Sequence, residues 1–171
     1  MQEREPRAGE PAAGTSEPAR GGDAAPSRAG GVETAVTLRL ADFLFAVSAG
    51  DVREILRAER IVRIPDAPAA VRGVITLRGR VLPVVDLRRR LGFPQTELGA
   101  KHRILVAAPA GRLVGLLVDG VDRLAQLDRS RLQPPPRQLD PGTAPFVLGA
   151  QPSGDRQLLL LDLARVLDVR E

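Results

Sequence analysis

The chain has 171 residues, the length of one ordinary domain, with 25 basic and 21 acidic residues and a formal net charge of +4. Every base except Lys101 is an arginine, which explains a sequence pI near 11 without any large excess of positive charge. With no cysteine, one histidine, four Phe and no Trp or Tyr, the chain excludes disulfides, thiolate metal sites, cysteine nucleophiles and multi-histidine zinc, and it offers few rings for stacking bases.

Residues 1–31 contain seven Ala, six Gly and four Pro and no Val, Ile, Leu or Phe. Such a segment buries too little apolar surface to offset chain ordering, so it is expected to be a disordered, solvated leader. It lacks the continuous apolar stretch of a secretory signal, and no window downstream is apolar enough to span a membrane. The remainder, 32–171, is expected to be one folded domain, only mildly basic.

From residue 34 short strands alternate with turn residues. TAVTLRL (34–40) and FLFAVS (43–48) form an expected hairpin about Ala41-Asp42. Val52, Ile55 and Leu56 form an apolar trio, and IVRI (61–64) reads as a strand stopped by Pro65 and Pro68. VRGVITL (71–77) and RVLPVV (80–85) make the clearest hairpin, with Gly79 supplying the positive φ of a tight turn. Pro83 has no N–H and should face an edge or a bulge. Asp86 is placed to cap a helix over LRRRL, which Gly92 ends. HRILVAA (102–108), RLVGLLVD (112–119), FVLGA (146–150) and RQLLLL (156–161) are further strands, giving nine or ten.

A repeat is visible. LFAVSAGDVREI (44–55) aligns without gaps on LVGLLVDGVDRL (113–124), and VVDLRRRL (84–91) aligns on LLDLARVL (160–167), with Asp86 and Asp162 both ready to cap a helix after a strand. Two copies imply two similar halves, each of about five strands and a helix. A sheet of that size is expected to curl into a small barrel, and two such halves are expected to pack on each other.

Nucleotide-binding and hydrolase motifs are missing. Asp119 and Asp122 beside Gly120 lack the further oxygen ligands of a Ca²⁺ or Mg²⁺ cage, and turn capping is the better reading. His102 has no nucleophile nearby in sequence and reads as a surface imidazole. Arg88, Arg89 and Arg90 point about 100° apart on a helix and read as a solvated surface. Arg78, in the turn between two apolar strands, is either free or paired to a carboxylate such as Glu54. The mild positive charge and the arginine run leave a second reading, a small β-barrel nucleic-acid-binding protein.

The run VRGVITLRGRVLPVVDLRRRLG (71–92) resembles the most recognisable stretch of the CheW family, the coupling proteins of bacterial chemotaxis. VREILRAERIVRIPDAPAAVRGV leading into it, VGLLVDGVDRL (114–124), the Gln-Pro-x-Pro stretch at 133–136 and LGA…GDRQLLLLDLARVL (148–167) are similar to that family too. Thr76 stands where the family more often has Asn. The resemblance implies a mainly β fold of two SH3-like five-stranded β-barrel subdomains packed on each other, with short helices. It implies a non-enzymatic, cytoplasmic adaptor without cofactor or metal, joining chemoreceptor tips to the regulatory domain of the CheA histidine kinase. It also implies a receptor-facing set, Val52, Glu54, Ile55, Arg78, Ile104 and Val121, and a kinase-facing set, Ile61, Arg63, Arg72 and Val74.

Overall fold

The structure, a computed structural model, describes residues 31–170; the expected leader lies outside the described residues except for Gly31. Ten strands and two short helices follow in chain order. They are β1 (Val32–Leu40), β2 (Phe43–Ser48), β3 (Val52–Arg57), β4 (Val71–Leu77), β5 (Arg80–Asp86), α1 (Leu87–Leu91), β6 (Arg103–Ala107), β7 (Val114–Val118), β8 (Gly120–Asp128), β9 (Val147–Ser153), β10 (Arg156–Leu161) and α2 (Leu163–Leu167).

The strands form two five-stranded sheets, ordered β8-β1-β2-β10-β9 and β3-β6-β7-β5-β4. Each is mixed, with one parallel pair at its centre: β2 with β10, and β7 with β5. In the first pair Ala46 lies opposite Leu160, and in the second Gly115 lies opposite Val84. These are the positions matched in the sequence repeat. One sheet uses a continuous run of chain, β3 to β7, whereas the other is assembled from both ends.

The expected closed barrels are not formed. Each sheet is open, with β8 and β9 at the ends of one and β3 and β4 at the ends of the other, and no ladder joins those ends. The outer edges of β4 and β9 are instead met by single bridges from connecting segments, Val62 to Val74 and Gln133 to Ala150. A longer ladder fails there for a chemical reason: Pro65 and Pro68 follow one bridging residue and Pro134, Pro135 and Pro136 follow the other, so the chain has no donors to extend the pairing. IVRI is accordingly one bridge and not a strand.

Strand alternation divides the apolar side chains between three clusters. The largest fills the space between the sheets and includes Leu38, Leu40, Phe45, Leu105, Leu116 and Leu159, all essentially inaccessible. Ala35, Leu44, Ala46, Leu127, Leu158 and Leu160 cover the other face of the β1-containing sheet. Ile75, Leu82, Val84, Ile104, Val106 and Leu117 do the same for the β4-containing sheet. Each sheet therefore buries apolar side chains on both faces although neither is closed.

Local chemistry sets most element ends. Both helices start as expected: the Asp86 carboxylate accepts the Arg89 N–H at 3.3 Å, and that of Asp162 accepts the Arg165 N–H at 3.2 Å. Gly92 ends α1 in the left-handed region at φ 83°. The β4–β5 turn has positive φ at both central residues, Arg78 at 49° and Gly79 at 76°, the pattern whose twist suits a two-residue hairpin. Pro83 sits on β5 opposite Val74, one residue before the parallel pairing with β7 begins at Val84, so its missing N–H leaves no gap in that ladder.

β8 escaped the sequence reading. Its residues GVDRLAQLD alternate only weakly and are mostly half-exposed or exposed, because it is the edge of its sheet. A register shift between Val36 and Leu38 is plugged by buried Thr37, whose hydroxyl donates to the Arg123 carbonyl at 2.7 Å and accepts the Arg123 N–H at 3.0 Å.

The arginine run is no solvated face. Arg90 of α1 donates to three carbonyls at the end of α2, those of Val166 (2.9 Å), Arg165 (2.8 Å) and Asp168 (2.6 Å), and its guanidinium lies 4.7 Å from the Phe146 ring centroid. It is a C-terminal cap supplied by the other half of the molecule. Arg90→Ala is expected to cost about 1.5 kcal/mol, read as a lower midpoint in urea unfolding with an unchanged slope.

Candidate functional site

No described helix is long and apolar enough to cross a membrane, and no group of three or more metal-ligating side chains is present among the described residues. Asp119 and His102 belong to a structural cluster. The Asp119 carboxylate accepts the Arg88 Nε–H at 2.7 Å, a second bond from the same guanidinium, and the Ala41 N–H of the β1–β2 turn at 2.8 Å. His102 is not the expected surface imidazole: its Nδ1 accepts the Gly99 N–H at 2.8 Å, and Nε2 is 3.7 Å from Asp119. Burial alone would push the Asp119 carboxyl up. The Arg88 and Ala41 hydrogen bonds and the electrostatic pull of Arg88 and His102 outweigh it and hold the group below the ordinary aspartate value. The Arg88 guanidinium, bonded to Asp119, is pushed up in turn. The niche beside them holds about 10 Å³, room for one water. Asp119 thus caps a turn 78 residues away in sequence from its own position.

The residues expected to face a receptor gather mainly along the free edge β3. A register shift between Val52 and Glu54 turns Val52 and Ile55 to one face and Glu54 and Leu56 to the other. Val52 is half-buried against the inter-sheet core, and Ile55 is 44 % exposed. Val121, on the edge strand β8 of the other sheet, packs half-buried against that same core. Edge strands of both sheets thus each place a valine on the inter-sheet core.

Glu54 reaches the β4–β5 turn, where it accepts two hydrogen bonds from Arg78, at 2.9 and 3.2 Å. This parallel pair selects the paired alternative for Arg78 and orders a residue held at φ 49°. Ile104 differs from the rest. Its exposure is 0 %, and it lies in the outer cluster beneath Leu56, so it supports β3 from below and presents no surface.

The kinase-facing set is arranged around β4. The Val62 and Val74 backbones exchange two hydrogen bonds of 2.8 Å, which seats Ile61 against the outer cluster and leaves Arg63 exposed. Arg72 lies 3.5 Å from the Asp86 carboxylate that caps α1. Gly73 makes the bridge possible, since a Cβ there would stand 2.2 Å from the Val62 carbonyl oxygen. Sequence reading passed over Gly73 because the contact that demands it is made by Val62, in a separate segment of the chain.

Two mixed five-stranded sheets thus share one core, and β3 and β8 each end a sheet. A family model, the CheW-like domain, matches residues 34–171. The chain belongs to the CheW family. Chemotaxis protein CheW of Rhizobium meliloti (strain 1021) is 37 % identical over 136 residues, 80 % of this chain and 88 % of that one. Protein FrzA of Myxococcus xanthus is 32 % identical over 131 residues, 75 % of this chain and 81 % of the relative. Among solved structures, the scaffolding protein TtCheW from Thermoanaerobacter tengcongensis is similar with a TM-score of 0.72 at 29 % identity, covering 81 % of this chain and 89 % of that one. As a CheW-type adaptor the chain is non-enzymatic and couples receptors to CheA in chemotaxis. The nucleic-acid reading has no support among these matches, and its arginine run is spent inside the fold.

Proposed function

We propose that this CheW-type chain works in the cytoplasm and holds its two partners on different surfaces. A receptor tip lies along the seam edged by β3 and β8, touching Val52, Glu54, Ile55, Arg78 and Val121. The kinase regulatory domain meets the Ile61–Ile64 segment and β4, with Arg63, Arg72 and Val74 in reach. The observation that carries this reading is the pair of edge strands over one core: Val52 and Val121 supply apolar contact, and the Glu54–Arg78 pair supplies a rim charge pattern. Separate surfaces are what an adaptor needs, because one partner then does not displace the other.

Titration of the chain with a receptor signalling fragment and, separately, with the kinase regulatory domain tests it. Arg78→Ala is expected to weaken receptor binding about tenfold and kinase binding little. The stability change should stay below about 1 kcal/mol because the Arg78 side chain is 75 % exposed. Equal loss for both partners would refute separate surfaces. Binding to neither partner at roughly 50 micromolar would refute the adaptor reading for this chain.

A further inference from the structure

The fold brings one group of cations together without giving it carboxylate partners among the described residues. Arg57 ends β3 directly opposite Arg103, which begins β6. Like charges facing each other across an antiparallel ladder are unfavourable. Arg103 cannot swing clear, since its guanidinium donates to the carbonyls of Ala100 at 2.6 Å and His102 at 2.8 Å. The Ala58 N–H donates to the His102 carbonyl at 3.4 Å, which lays 57–60 beside 101–103. Arg60 and Lys101, both exposed, complete the corner, and Arg60 holds a φ of 57° that glycine or asparagine would adopt more easily.

Among the described residues no carboxylate oxygen lies within 4.0 Å of Arg57, Arg60, Lys101 or Arg103, and Glu59 is the one acid in these two segments. Some arginines elsewhere are paired, Arg72 and Arg89 with Asp86, Arg88 with Asp119 and Arg129 with Glu33, so what sets this corner apart is the closeness of its cations and not the lack of a partner alone. Exposed Ile55 lies on the same strand as Arg57, so apolar and cationic side chains alternate toward solvent at this end of β3. No ring is at hand for bases. Phe43, Phe45 and Phe93 pack on one another, and Phe146 lies under Arg90.

We propose that the Arg57–Arg60–Lys101–Arg103 corner is a docking site for an acidic, partly apolar segment of a protein partner, with carboxylates meeting the cations and aliphatic side chains covering Ile55. The inference leans on the adaptor reading only for which protein carries that segment. The ring-free, mixed apolar and cationic character favours a peptide over a nucleic acid or a lipid surface.

The test uses the full chain and a fluorescein-labelled peptide of about 20 residues with Glu and Leu at helical spacing, followed by anisotropy. Affinity should fall at least about tenfold between roughly 50 and 300 mM NaCl, and the triple variant R57Q/R60G/K101Q should bind about tenfold more weakly at low salt. R60G alone should bind about two- to threefold more weakly with an unchanged or raised Tm, because glycine relieves the left-handed backbone while removing the charge. Equal binding by wild type and triple variant would overturn the proposal. So would tighter binding of wild type to a dT oligonucleotide or to vesicles containing phosphatidylglycerol than to the peptide at the same ionic strength. No receptor or kinase enters these titrations, so their outcome is independent of whether the adaptor reading holds.

Discussion

Asp119→Ala is expected to destabilise the protein by about 3 kcal/mol, one of the larger effects available from a single polar side chain. The carboxylate ties three separate pieces of chain: its own position after β7, the β1–β2 turn through the Ala41 N–H, and α1 through Arg88. Both side chains of the ion pair are mostly buried, 15 % exposed for Arg88 and 19 % for Asp119. Removing the acid leaves a mostly buried guanidinium with only its Pro94 carbonyl contact and the more distant Asp86 charge. Asp119→Asn, which keeps an acceptor for Ala41, should cost less than the alanine.

The pH dependence follows from the direction of the shift. The folded-state carboxyl of Asp119 is held below its unfolded value, which is near 3.9 for aspartate. Its contribution is therefore complete above that unfolded value and is lost as pH falls through the lower folded one. Urea midpoints for wild type and Asp119→Ala should differ fully at neutral pH and converge progressively below about pH 4. A gap that stayed constant down to about pH 2 would show that the ion pair does not carry the effect.

Gly73→Ala is expected to cost about 2–4 kcal/mol for a steric reason that no side-chain movement can relieve. The added Cβ would stand 2.2 Å from the Val62 oxygen and 2.8 Å from its carbonyl carbon, both backbone atoms. Either β4 or the Ile61–Ile64 segment must move, breaking two 2.8 Å hydrogen bonds between Val62 and Val74 and lifting Ile61 from the outer cluster. β4 keeps its antiparallel ladder with β5, so the damage should stay local. Hydrogen exchange should show lost protection at the Val62 and Val74 amides and retained protection at β6 and β7. Binding of the kinase domain should fall more than binding of the receptor fragment; the opposite order would contradict the surfaces proposed above.

How much could be read beforehand differs from one element to the next. The β4–β5 hairpin was legible because Arg78-Gly79 interrupts two apolar runs, and both helix starts were legible because an aspartate follows each strand. β8 was not, since an edge strand with water on one flank needs little apolar alternation. Within the site, Ile55 and Arg78 are exposed, Val52 and Val121 half-buried and Ile104 buried, and alternation alone cannot tell a strand's core face from a docking face. Arg88, Arg89 and Arg90 looked like a solvated face because their partners, Asp119, Gln95 and the end of α2, are defined by the path of the chain and not by helical periodicity.

By itself the sequence determined what is short-range: turn residues, helix caps and the strands of the central hairpins. These depend on φ preferences and hydrogen-bonding groups that act within about four residues of their origin. Tertiary structure alone decided which strands share a sheet, that both sheets stay open, that Gly73 must lack a side chain, and that an arginine in one half caps a helix in the other. Each of those outcomes is a contact between atoms far apart in the chain, and its energy exists only once packing has brought them together.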